Sequence, residues 1–307
     1  MLSEITPKLP LVAQDIVIDT VTSSVDYLTI TVSNTDKAVL LMQEAQRLKD
    51  DLEGYGWKVR RWGMQGYAGY SIAGLRWGQR TDGCIMMLSG QDAAINWLPA
   101  LALAQNVTRL DLAVTVALAD PITDVAKRAY AWVLTDPHNC PSKKRKYSYV
   151  ENSAGGQTVY IGSRVSDQFG RLYDKGCESA KDACAPPGLL WRYEVEFKAY
   201  RAKKLAYQMG ITARQALPSV SEEIAKLVHT WFLARGIRPL YTTQDHLGEW
   251  VLELEARITD DDCSLNWLTL QVRPTVDRLQ ARGRSEEVFK ALGITIVPRK
   301  ADVVDTP

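Results

Sequence analysis

The stretch 156–198, GQTVYIGSRVSDQFGRLYDKGCESAKDACAPPGLLWRYEVEFK, decides the fold. It divides into three β-strands, at 158–163, 168–175 and 191–198, with a loop bearing Gly, Pro and Cys between the second and third. Side chains alternate along a strand with period two, so each strand has two faces. On the second strand Arg171, Tyr173 and Lys175 share a face, and Leu172 points the other way. On the third, Arg192, Glu194, Glu196 and Lys198 oppose Trp191, Tyr193, Val195 and Phe197. One face suits a core and the other is crowded with charge. An ordinary solvent-facing strand has the same pattern, so function must be argued from the rest of the chain.

Upstream, 26–32 (DYLTITV) and 108–116 (TRLDLAVTV) alternate in the same way. Leu28, Ile30 and Val32 share one face of the first; Arg109, Asp111, Ala113 and Thr115 share the polar face of the second. Between them, helices are expected at about 35–52, with Val39, Leu40, Leu48 and Leu52 near helical spacing, and at 91–104. The segment 57–90 is punctuated by Gly and reads as hairpins, with Thr81-Asp82-Gly83 as a turn. There Arg60, Arg61, Trp62, Tyr67, Tyr70, Arg76 and Trp77 interleave cations with flat rings, which suits either single-stranded nucleic acid or cross-strand packing.

Asp120-Pro121 is expected to open a helix running to about residue 134. After Lys198 the chain turns helical, with helices at 199–209 (stopped by Gly210) and at about 219–235, and Pro274 splitting an amphipathic run at 264–282. Residues 251–258 fit strand or helix, and 285–292 a last short helix. The fold class is therefore α+β: a central, mainly antiparallel sheet with packed helices, followed by a helical C-terminal region. The expected division is an arm at 1–24, a catalytic body at 25–210 and a mainly helical part at 211–307.

Composition narrows the function classes. The 307 residues are 46% hydrophobic and 24% charged, and no apolar run is long enough to cross a membrane. The first residues lack a basic segment followed by an apolar one, so the expectation is a cytoplasmic protein with no membrane partner. Five scattered cysteines suit a reducing compartment, and Cys177 and Cys184 make at best a poor zinc site. The net charge of +1 hides an asymmetry: 143–204 holds thirteen Lys/Arg against seven Asp/Glu. A basic middle suits a local polyanion surface. Candidate DNA contacts there are Lys143, Lys144, Arg145, Lys146, Arg164, Arg192 and Lys198.

The three histidines are isolated, and there is no Walker A, HExxH or Ser/His/Asp cluster. What remains is carboxylates, cations and one tyrosine on polar strand faces. Asp111, Glu194 and Glu196 would suit an oxygen-ligated Mg²⁺ or Mn²⁺ if their strands are neighbours. Tyr173, flanked by Arg171 and Lys175, would suit a nucleophile, because cations favour the phenolate. Together these fit phosphoryl transfer from DNA to a tyrosine. Ion pairing of Glu194 or Glu196 with Arg171 or Lys175 would explain the same residues structurally.

Several short blocks occur in a telling order: DYLT at 26–29, LSGQ at 88–91, TRLDLA at 108–113, GQTVYIGSR at 156–164, RLYDKG with Glu178, and WRYEVEFK at 191–198. In this the chain strongly resembles the replication initiation factor family, the rolling-circle initiators of plasmids and filamentous phages, with related relaxases. The run NWLTLQVRPTVDRLQARGRSEEVFKALGI is similar to the phage branch. The likeness extends from about residue 26 to 294.

The resemblance implies that Tyr173 is the nucleophile, that acidic residues hold a divalent metal, and that Lys175 and Arg171 orient phosphate. It implies a metal-dependent nick at an origin, a 5′-phosphotyrosyl intermediate, a 3′-OH primer and later rejoining. The implied partners are origin DNA, single-stranded or as a hairpin, with a host helicase and polymerase in a bacterial cytoplasm; a homodimer is open. One departure is Thr115, where many relatives carry a second acid. The rival expectations are a relaxase of an integrative element and an origin-binding protein without enzymatic activity.

Overall fold

In the computed structural model, residues 16–33, 35–135, 146–153, 155–179, 186–215, 217–241, 273–285 and 287–288 are described. The chain divides into two units, Met1–Val251 and Leu252–Pro307. In the first, ten strands form one sheet in the order β2-β3-β4-β5-β1-β6-β10-β9-β8-β7, and every pairing is antiparallel. The expected α+β class is thus the observed one.

The strands are β1 (Ile18–Val32), β2 (Arg60–Met64), β3 (Tyr67–Ile72), β4 (Leu75–Arg80), β5 (Gly83–Ser89), β6 (Asn106–Leu118), β7 (Tyr147–Glu151), β8 (Gln157–Gly162), β9 (Gln168–Asp174) and β10 (Leu190–Lys198). The helices are α1 (Thr35–Gly54), α2 (Gln91–Leu103), α3 (Val125–Thr135), α4 (Lys175–Ser179), α5 (Ala199–Gln215) and α6 (Leu217–Leu233). The second unit holds α7 (Arg273–Ala281), with Pro274 in its first turn, where the missing N–H is not needed.

The middle of the sheet is built from β1, β6, β10 and β9, the strands whose alternation is strongest. Leu110, Leu112, Val114 and Val116 of β6 and Trp191, Tyr193, Val195 and Phe197 of β10 are buried on one face. Helices α5 and α6 pack there, and the Tyr193 ring meets Phe232 edge-on at 5.1 Å. Gly170 of β9 lies on the same face, and a Cβ on it would come within 2.3 Å of the Trp231 ring of α6. The glycine is what lets α6 seat its largest side chain against the strand.

Several boundaries differ from expectation, each for a physical reason. Residues 18–24, expected in the arm, are the first half of β1 and pair with β6. Helix α3 starts at Val125 because the Ile122 N–H donates to the Gly188 carbonyl (3.0 Å) and the Ile122 carbonyl accepts from Trp191 Nε1 (2.9 Å). In α1 the buried positions are Leu41, Ala45 and Leu48, while Val39 and Leu40 are exposed. Helix α5 runs through Gly210 to Gln215, and α6, expected outside the body, packs on β1, β6 and β10. Lys175, expected in the second strand, is the first residue of α4. The expectations for the 1–15 arm, the strand or helix at 251–258 and most of 285–292 lie outside the described residues, as do Cys140, Cys184 and Cys263.

Candidate active site

The face of the sheet opposite α5 and α6 carries the charge. Register across β6, β10 and β9 sets Asp111 opposite Glu196, Arg109 opposite Lys198, Glu194 opposite Arg171 and Arg192 opposite Tyr173. Directly opposed residues in an antiparallel pair point the same way. A bulge between Val25 and Tyr27 of β1 sets both Asp26 and Tyr27 against the single residue Asp111. The extra residue turns Asp26 toward the same face.

Tyr173 is buried, 5% exposed, and its hydroxyl donates to Glu194 Oε2 at 3.2 Å. The other Glu194 oxygen accepts from Arg171 Nη2 at 2.6 Å. The Arg171 guanidinium lies 5.1 Å from the Tyr173 ring centre and Lys175 Nζ lies 5.8 Å from it. Arg192 approaches from the strand alongside. Its guanidinium pairs with Asp26 at 3.0 Å, and its buried Nε has no hydrogen-bond partner among the described residues. Burial opposes the Arg192 charge, but Tyr173, Asp26 and Glu194 outweigh it and raise its pKa. The Tyr173 phenol is thus hydrogen-bonded to one carboxylate and has three cations around its ring, the kind of setting in which a nucleophilic tyrosine can work.

The strand that carries Tyr173 is anchored just beyond it. Asp174 is buried, and its carboxylate accepts from the N–H groups of Cys177 (3.1 Å) and Gly188 (2.7 Å) and from Cys177 Sγ (3.3 Å). These bonds tie the two ends of the 175–188 connection to the end of β9.

The three carboxylates expected to hold a metal share one face of β6 and β10, but each already has cationic partners. Arg109 binds both Asp111 oxygens, at 2.9 and 2.6 Å, and reaches Glu196 at 2.8 Å. Lys198 pairs with Glu196 at 2.6 Å. Burial pushes the Asp111 carboxyl up to about 7; Arg109 pulls it down, and Glu194 and Glu196 push it further up. Among the described residues no group of three or more His, Cys, Asp or Glu is placed as a ready-made metal cage. In kind the donors suit a hard divalent ion, and their mutual repulsion is what such an ion would relieve. Its entry requires Arg109 to leave Asp111 and Glu196.

The expected DNA contacts are spread differently. Arg192 lies inside the site. Lys198 bonds the Arg164 carbonyl as well as Glu196, and the Arg164 guanidinium sits 5.5 Å from the Tyr160 ring and 5.4 Å from that of Phe169. Lys146 is exposed beside β7. Lys143, Lys144 and Arg145 lie outside the described residues. Sequence reasoning missed Arg109, Asp26 and Asp174. Arg109 was legible, since it shares a strand face with Asp111 two residues on. Asp26 was not, because only the bulge turns it inward.

The model of the replication initiation factor family matches residues 105–230. No curated protein matches the chain. A solved structure described as a rolling circle replication initiator protein from Geobacillus stearothermophilus is similar at 18% identity. That similarity has a TM-score of 0.45 and covers 77% of this chain and 96% of that one. The family match supports a role in the initiation of replication. The matched residues, 105–230, include Tyr173 and every carboxylate expected to bind metal, and over that segment the chain is similar to replication initiation factors.

Proposed function

We propose that this protein initiates rolling-circle replication by nicking one DNA strand at an origin, with Tyr173 as nucleophile and Glu194 as general base. The observation that carries this reading is the hydrogen bond from the Tyr173 hydroxyl to Glu194 Oε2, with Arg171 fixing the other Glu194 oxygen. Nucleophile and base are within reach, and a third group orients the base.

Glu194 takes the phenol proton as Tyr173 Oη bonds to the scissile phosphorus. The bond from phosphorus to O3′ breaks and the departing O3′ takes a proton from solvent water, leaving a 5′-phosphotyrosyl linkage and a free 3′-OH that primes synthesis. The phosphodiester is exchanged rather than hydrolysed, so the reverse step rejoins a strand. Arg192, Arg171 and Lys175 stabilise the phenolate and face the phosphate oxygens. A divalent ion, Mg²⁺ or Mn²⁺, would be held by Asp111 and Glu196 with Glu194 at the phenol side, and would supply positive charge to the reacting phosphate. Host helicase, host polymerase and a second copy of the chain are the proposed partners.

The test is a labelled origin oligonucleotide incubated with wild type and Tyr173→Phe, with and without Mn²⁺. The wild type is expected to form a covalent adduct and the variant to bind without forming one. An adduct on the variant removes Tyr173 as nucleophile, and binding without any wild-type adduct leaves an origin-binding protein. A relaxase would use the same chemistry and is told apart by which origin it cleaves.

A further inference from the structure

The charged face does not end at the site. Beyond β6 it continues across β1, β5, β4, β3 and β2, and there its character changes. Register places Tyr27 opposite Asp111, and farther out it places Trp62 opposite Gly69 and Gly69 opposite Gly78. A Cβ on Gly78 would sit 3.3 Å from the Trp62 ring, so the missing side chain lets the indole lie over the sheet. Tyr67, Ile85 and Met87 form a buried cluster, with Tyr27, Trp62 and Met64 half-buried against it. This is an apolar patch on the face away from α5 and α6. The seven cations and rings expected in this segment are sorted by register: Arg60, Trp62, Tyr67 and Arg76 share the face of Tyr173, and Arg61, Tyr70 and Trp77 take the other.

We infer that this face of β1–β5 is a stacking platform for the single-stranded DNA that flanks the cleaved phosphate, an inference that rests on the proposed nicking reading. Two features select that occupant. The first is charge: 57–90 holds five Lys/Arg and a single acid, Asp82, which pairs with Arg80 in the turn. Half-exposed rings with arginines between them match the flat bases and the phosphates of a single strand. The second is continuity. Arg109 stacks on Tyr27 at 4.2 Å while binding Asp111 and Glu196, so the patch and the site share a residue. With strands spaced by ~4.8 Å, Tyr27 lies about 14 Å across the sheet from Tyr173, and β2 about 34 Å. A strand held at Tyr173 that crosses the sheet meets Tyr27 first and Trp62 last.

The test is fluorescence anisotropy with a labelled oligothymidylate that carries no origin sequence, using the full chain. Trp62→Ala is expected to weaken binding by about tenfold. Trp62→Phe should restore most of it, and Arg60→Glu with Arg76→Glu should weaken it with an unchanged melting temperature. Ultraviolet cross-linking should map to 60–67. Wild-type affinity in Trp62→Ala and in the double arginine variant overturns the inference. So does a wild-type dimer that Trp62→Ala dissolves with DNA affinity unchanged, which would assign the face to a second copy. Adduct formation is read separately, so failure of Tyr173 as nucleophile and failure of the platform give different results.

Discussion

Tyr173 and Glu194 sit on neighbouring strands, diagonal to each other and two residues from being directly opposed, and the phenol donates to the carboxylate at 3.2 Å. The pair is held from both sides, by Arg171 on the far carboxylate oxygen and by Arg192 beside the phenol. Removing the base alone should therefore separate binding from chemistry. Glu194→Gln is expected to slow single-turnover adduct formation by about 10²–10⁴-fold, the range for a positioned general base. Affinity for the same oligonucleotide should stay within a few-fold. Wild-type adduct rates in this variant would remove Glu194 from the proposed step.

Arg192, an expected DNA contact, bonds Asp26 within the site. Arg192→Met strands Asp26, which is only 16% exposed at its side chain, and is expected to destabilise the protein by about 2–4 kcal/mol. Asp26→Asn in the same background should recover part of that loss in thermal unfolding. Homopolymer DNA binding should change little while adduct formation drops. A variant that loses binding and adduct in proportion would return Arg192 to a simple DNA contact.

Gly170→Ala tests how tightly α6 is seated. The new methyl would start 2.3 Å from the Trp231 ring, well inside contact, and overpacking of this kind costs ~1–3 kcal/mol. The melting temperature should fall, and Trp231→Leu should recover some of it. If Gly170→Ala melts like wild type, α6 is not packed as described.

Burial pushes Asp111 up to about 7 from 3.8, with Arg109 opposing and Glu194 and Glu196 adding to the shift. A carboxyl raised in the folded state contributes stability that is full below its unfolded value and lost as pH rises through its folded one. Wild type should therefore lose stability relative to Asp111→Asn as pH rises from about 4 through about 7. Urea unfolding of both proteins at pH 5 and pH 8 measures the difference. A gap that does not change with pH would place the Asp111 titration outside this window.

Burial, with Asp174 as hydrogen-bond partner, pushes the Cys177 thiol up to about 11. It should react slowly with iodoacetamide at pH 8, and faster in Asp174→Asn. Rapid wild-type alkylation at this position would show the thiol is not held in that way.

The sequence was most legible where alternation was strict. The central strands β6 and β10 fell within about two residues of their expected limits, because a period of two over a buried face admits one register. It was least legible where a distant backbone group intervened. Nothing in Asp120-Pro121 announces that Ile122 is bonded to Gly188 and Trp191, which delays α3. Gly210 looked like a stop, but α5 rests there beside Leu101, 3.3 Å from where a Cβ would be, and the helix continues. In the site, the face shared by Arg171 and Tyr173 could be read from spacing. The use of Arg109 as a clamp on two carboxylates could not, since one of them, Glu196, comes from a strand nearly ninety residues away.

The three strands that bear Asp111, Glu194 and Tyr173 are interior ones, each hydrogen-bonded to neighbours on both sides. Their amide protons should be among the slowest in the molecule to exchange with deuterium, opening only when the whole unit unfolds. On the proposed nicking reading, gating would then fall to side chains such as Arg109 or to the arriving DNA rather than to the backbone, and slow exchange at Tyr173 should persist when an oligonucleotide binds.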